Sequence, residues 1–529
     1  MGKSRSFWPV FALLGLIGLA VRAWHIGSEP FWLDEAYSAY AADHDWNFLL
    51  HVVPRFETHP PFYYSLMHVW AQAFGDGVLA MRMPGLIAGL ATPFVLILAA
   101  REASAWLGWD AERRDRLYLA AFGLACVSNA LVEMTRQVRP YPLMILVYAG
   151  ALTLLLRLAR LRAAGRPLVG RAFAGYFLLL ETMLWLHNLG PLYAFSLTLA
   201  LGVALLGQGQ HRADLGWLAA AHILVGLLYL PGLAILRDQA PTWVSHTWLR
   251  FQINRGYFDH LTSLYSAPSW PGFFLFVLLG LAILFLIRAA NGRRLAGVLL
   301  ILALLPVILA TAISIAVSPV FITRIMTPVA VPAMLLLAIG AAAWTDTRKL
   351  LGLGAALILG APMLAADVQA RMAGPMQDWY RTIAWLAPRF QSGDQLFAYP
   401  NEGALPLFYA LRDKKLAYPI RPIPTAVPSF NVAGGWYPTG SRGVVSLPRE
   451  QLRAIAQAPE TKSVPTIWLL RLGAKTYDPG DMFLQELHRD RYIVRSWQDG
   501  PIDIIGLRLR TLYRPTPLTP RPAPARNRQ

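Results

Sequence analysis

The chain has 529 residues, 56% of them hydrophobic and only 15% charged, with a mean hydropathy of +0.42. A soluble domain carries about 25% charged residues, so this balance excludes an ordinary soluble fold and points to a membrane protein. The net charge of +18 needs no nucleic acid to explain it, because lysine and arginine collect in the cytoplasmic loops of membrane proteins.

The N-terminal stretch MGKSRSFWPVFALLGLIGLAVRAW is longer than the apolar run of a signal peptide and lacks a small-x-small cleavage site, so it reads as an uncleaved first span with Lys3 and Arg5 inside. Runs of spanning length then predict segments at 7–24, 81–100, 117–133, 140–156, 172–187, 190–207, 215–234, 271–288, 296–317, 325–344 and 350–366. With the N-terminus inside, the cytoplasmic loops collect seventeen Lys and Arg against seven on the opposite side up to residue 324. That bias predicts a cytoplasmic N-terminus and, with eleven spans, an extracytoplasmic C-terminal part. The single cysteine, Cys126, excludes an intrachain disulfide and a cysteine-based zinc site.

The first outer loop, 25–80, carries seven acidic residues and five of the eleven histidines. Asp34 and Glu35 follow Trp32-Leu33, where a helix surfaces. Carboxylates at a membrane boundary are costly to desolvate and mark a functional site, and a group there can serve as a general base. The other acidic residues, Glu57 among them, read as a solvated loop. His59, held extended before Pro60-Pro61, either points into the site or packs a stiff turn. The histidine spacings match no compact zinc pattern, so no metal or other cofactor is expected.

Between the third and fourth spans, EMTRQVRPYP places Arg136 and Arg139 on the arginine-poor side, and Arg324 stands at the outer mouth of the tenth span. A guanidinium there either grips a phosphate with its planar fork or snorkels to the interface. The segment 235–270 carries Trp243, Trp248, Tyr257 and Trp270, and either lies on the membrane over a lipid or forms an aromatic belt. Residues 367–513 differ in kind. DWYRTIAWLAPRF and ALPLFYALR read as helices, and QLFAYP, PTIWLLRL and Ile502–Leu512 as strands of a small α/β domain. From Arg514 the tail is Pro- and Arg-rich and is expected to be disordered.

Four motifs, W-x-D-E-A at 32–36, H-P-P-F-Y-Y at 59–64, R-P-Y at 139–141 and R-x-x-x-P-x-x-x-P at 324–332, make the stretch from the first span to about residue 345 resemble the polytopic GT-C glycosyltransferases. The likeness is to the protein O-mannosyltransferase-like branch that includes the bacterial aminoarabinose transferases. It implies an enzyme of the bacterial cytoplasmic membrane that takes a sugar from a polyprenyl phosphate and passes it to a lipid, glycan or protein acceptor. Asp34 would be the base or acceptor-orienting group, with Glu35 beside it. Arg139, Arg324 and Tyr141 would bind the donor phosphate, and His59, Arg136 and Gln137 the substrates. Gln137 stands where such proteins often carry Glu. A lipid or glycan transporter, or a non-catalytic protein of the same fold, are the competing readings. A transporter would place more charge in mid-membrane and show paired halves.

Overall fold

The computed structural model describes residues 7–57, 59–206, 212–246, 250–267, 272–289, 291–347, 349–428, 446–474, 478 and 480–512. Lys3, Arg5, Trp248, Trp270 and the tail from Arg514 lie outside them. The chain divides into two compact units between Trp379 and Tyr380.

The first unit is helical. In chain order it runs α1 (Phe7–Ala23), α2 (Leu33–Ala42), α3 (Val53–Phe56), α4 (Phe62–Phe74), α5 (Val78–Trp106), α6 (Ala111–Val127), α7 (Asn129–Thr135), α8 (Tyr141–Ala163) and α9 (Arg171–Leu186). It continues through α10 (Gly190–Leu205), α11 (Arg212–Leu228), α12 (Leu230–His246), α13 (Arg255–Ser263), α14 (Gly272–Leu286), α15 (Gly292–Ala316), α16 (Thr323–Met326), α17 (Ala330–Thr347) and α18 (Lys349–Ala373). Each hydropathic segment predicted as a span carries a helix. By length and composition alone, five helices can cross a bilayer among the described residues, or seven if two bent pairs each count as one. The predicted loop 25–80 is not open chain but holds α2, α3 and α4.

One bent pair, α6 and α7, turns by 55° at Ser128. A break leaves the last carbonyls of α6 without intrahelical donors. Arg22, buried on α1, supplies them: its Nη1 donates to Cys126 O at 2.6 Å and its Nη2 to Ala125 O at 2.8 Å. Gly18 leaves the room, since a Cβ there would meet the Cys126 sulfur at 2.8 Å. The bend delivers residues 136–140 across α5, where Gly89 repeats the device. A Cβ at Gly89 would lie 2.2 Å from Thr135 Oγ1. Bare backbone on α5 therefore seats the segment that carries three of the predicted site residues.

The second unit contains a five-stranded sheet of order β2-β1-β3-β5-β4. β1 (Gln395–Ala398) pairs in parallel with β2 (Ile420–Pro422) and with β3 (Thr466–Leu472). β5 (Ile502–Leu509) runs antiparallel to β3 and to the edge strand β4 (Arg491–Asp499). The central strand TIWLLRL is apolar on both faces, as a strand covered on both sides requires. Phe397, Leu469, Ile505 and Leu507 form its core with Leu452 and Phe483. All three strands expected from sequence are present. β2 and β4 were not anticipated, being short in one case and charged and half-exposed in the other.

Candidate active site

α2 starts at Leu33, and its first amides need acceptors from outside the helix. Glu35 accepts the Trp32 N–H at 3.3 Å, and the side-chain oxygen of Gln377 accepts the Leu33 N–H at 3.0 Å. Asp34 and Glu35 thus occupy the first turn, where the helix dipole favours negative charge.

The two neighbours have different surroundings. Glu35 is fully buried and accepts Arg82 Nε at 3.0 Å, Arg82 Nη2 at 2.6 Å and the Val138 N–H at 3.0 Å, besides Trp32. Arg82 spends its other donors on the carbonyls of Ile26 (2.8 Å), Glu29 (3.1 Å) and Pro30 (3.0 Å), so all five of its N–H groups are engaged. Two carboxylate oxygens with four donors have no capacity left for a substrate. Glu35 and Arg82 clamp together the loop before α2, α2 itself and the 136–140 segment.

Asp34 faces the other way. Its Oδ2 lies 3.0 Å from Arg324 Nη2. Arg324 Nε donates to the Tyr141 hydroxyl at 3.2 Å, and its guanidinium sits 5.3 Å from the Trp32 ring centre. Behind them Arg139, 2% exposed, donates to Asp34 O (3.2 Å), Ser38 Oγ (3.4 Å) and His59 Nε2 (2.5 Å). Arginine cannot accept, so His59 Nε2 does, and the proton of a neutral His59 ring is on Nδ1. Burial works against the charge on Arg139. The acidic groups of Tyr64, Glu57 and Asp34 outweigh it and hold the guanidinium above its usual range. Arg139 Nε, buried, has no partner among the described residues.

Asp34, His59, Arg139, Tyr141 and Arg324 therefore converge, while Glu35 is turned away from them onto Arg82. Arg136 and Gln137 stand to one side, lining an adjacent cavity of about 440 Å³ that Arg324 also borders. Arg136 is paired with Glu29 at 3.0 Å.

Two residues of the cluster went unrecognised in the sequence. Glu57, read as solvated, is buried: it accepts the Tyr64 hydroxyl at 2.7 Å and lies 3.8 Å from Arg139. The turn through His59-Pro60-Pro61 folds it inward, and its position two residues before that motif was the available signal. His187, 3% exposed, places its ring 4.3 Å from that of His59. Its Nδ1 accepts the Leu189 N–H at 2.9 Å, so the proton of the neutral ring is on Nε2, which has no partner among the described residues. No sequence signal marked it. Among the described residues, no group of three His, Cys, Asp or Glu side chains is placed to hold a metal ion.

No family model and no curated protein sequence matches the chain. Solved structures do. ArnT from Cupriavidus metallidurans in the apo state superposes with a TM-score of 0.59 at 14% identity, covering 95% of this chain and 98% of that one. The same protein bound to undecaprenyl phosphate gives 0.54 at 13% identity, with the same coverage. Archaeal oligosaccharyltransferase AglB from Archaeoglobus fulgidus, in complex with an inhibitory peptide and a dolichol-phosphate, gives 0.52 at 13% identity over 95% of this chain and 74% of that chain. The chain has the GT-C fold. The GT-C likeness extends through both units, further than the motifs that suggested it, which end near residue 332.

Proposed function

We propose that this protein is a membrane glycosyltransferase that moves a sugar from a polyprenyl-phosphate donor to an acceptor hydroxyl at the outer face of the bacterial cytoplasmic membrane. One observation carries the reading: a buried carboxylate, Asp34, stands 3.0 Å from a guanidinium, Arg324, which itself holds a tyrosine hydroxyl. Sugar transfer from a lipid phosphate needs that pairing of a proton acceptor with a cation for the departing phosphate. Structures of the same fold bound to undecaprenyl phosphate and to dolichol-phosphate support it.

In this mechanism the acceptor oxygen attacks the anomeric carbon and Asp34 takes its proton. The bond from that carbon to the phosphate oxygen breaks, and the electron pair leaves with the phosphate. Arg324 and the Tyr141 hydroxyl receive the new charge, with Arg139 behind them. His59 and Glu57 orient Arg139, and Glu35 with Arg82 positions α2. One displacement inverts the anomeric centre.

The test is transfer in proteoliposomes supplied with a pool of labelled polyprenyl-phosphate sugars and native lipid and protein extracts. Wild type should label an acceptor, with inverted product, and Asp34→Asn should be slower by about 10²–10⁴, the usual worth of general-base catalysis. Equal rates would remove Asp34 from the mechanism, and a product of retained configuration would sink the single displacement.

A further inference from the structure

Resting on that reading, we propose that the cavity beside Arg324 is a subsite for an uncharged, hydroxyl-rich sugar ring. Its volume of about 440 Å³ falls in the range of small-ligand sites, roughly 300–1,000 Å³. The charge in its wall argues against an ionic ligand. Arg136 is paired with Glu29 at 3.0 Å, Arg82 with Glu35 at 2.6 Å, and Arg371 with Glu133. Away from Arg324, whose partner is Asp34, an incoming carboxylate would meet these acids as well as the arginines, and an amine would meet the reverse.

What the wall leaves open is neutral hydrogen bonding. Gln137, which lines the cavity, keeps its side-chain oxygen buried and without a partner among the described residues. Arg371, also in the wall, keeps its Nε in the same condition. One spare acceptor and one spare donor on the same wall suit hydroxyl groups, which both give and take hydrogen bonds. The half-buried indole of Trp32 adds a flat apolar surface of the kind against which the C–H face of a sugar packs. Because Arg324 both borders the cavity and binds Asp34, a ring held there sits one guanidinium away from the reacting carboxylate.

Such a ring could be the sugar of the donor or that of a glycan acceptor. The probe for binding is a set of methyl glycosides, neutral, amino-substituted and uronic, observed by saturation-transfer NMR with the full-length protein in nanodiscs. Neutral glycosides should bind, and Gln137→Leu should weaken them about fivefold, the worth of one neutral hydrogen bond. Gln137→Glu should instead tighten the amino glycosides, about tenfold for a charge-assisted bond. A gain of this kind separates a changed subsite from a misfolded variant. Preference of the wild type for uronic or amino glycosides overturns the proposal. In the transfer assay, Gln137→Leu raising the KM of the acceptor alone identifies an acceptor glycan, and raising that of the donor alone identifies the donor sugar. Glycoside binding in a protein that transfers nothing would leave the subsite standing while defeating the enzyme reading. Transfer without glycoside binding would do the opposite.

Discussion

Replacing Glu35 by Gln should disable the protein without touching the group assigned as base. The side chain keeps its shape, but one oxygen becomes an NH₂ facing the donors of Arg82 and of a backbone amide. The Arg82 charge is then left without its counter-charge where both residues are under 5% exposed. Breaking one partner out of a buried ion pair costs about 3–5 kcal/mol. The pair ties α5 to the segment from Ile26 through α2 and to the backbone at Val138, and the cost is expected to fall on that attachment. If that energy must be supplied each time Asp34 is brought into register, transfer slows between about a hundredfold and a few thousandfold, at 1.4 kcal/mol per factor of ten. The assay pairs transfer rate with amide hydrogen exchange across residues 26–42. Arg82→Gln should give a loss of similar size and the same faster exchange. The double variant should be no worse than either single one, because the two act as one device. If Glu35→Gln abolished transfer with exchange unchanged, and Arg82→Gln stayed active, Glu35 would be acting on substrate directly and the clamp argument would be refuted.

Arg324→Lys should raise the donor KM by about tenfold to a hundredfold. Lysine keeps the charge but cannot hold Asp34 and Tyr141 together with one planar group. Gly89→Ala should destabilise the folded protein by about 1–3 kcal/mol through overpacking, seen as a lower thermal midpoint in detergent. Thr135→Ala should restore part of that loss, and failure of any rescue would mean the close approach is not the cause. Gln377→Ala should cost about 1 kcal/mol by uncapping α2, read as faster exchange at Leu33 with the rest of the chain unaffected.

The helices were legible in the sequence because spanning length and apolarity are local properties. So were Asp34, His59, Arg139, Tyr141 and Arg324, each carried by a short motif. Their contacts were not, since the placement of Arg139 and Tyr141 follows the bend at Ser128 and the close approach of Thr135 to bare backbone at Gly89, and neither has a local signature. Arg82 was passed over as part of an apolar run, although a guanidinium inside such a run is itself a sign of an internal partner. Glu35, chosen for its place beside Asp34, faces into protein because consecutive helical positions point about 100° apart. In the second unit β3 was readable from its unbroken apolar run, whereas β4 takes its identity from pairing with β5.

The bond between Asp34 and Arg324 also bears on timing. Under the proposed mechanism, the carboxylate assigned as base is paired in the resting protein with the cation that a departing phosphate would require. There, a donor phosphate arriving from the bilayer would compete for Arg324 and, in winning it, uncover the carboxylate. Kinetics should therefore be ordered, donor before acceptor, with a spent lipid phosphate inhibiting competitively against the donor.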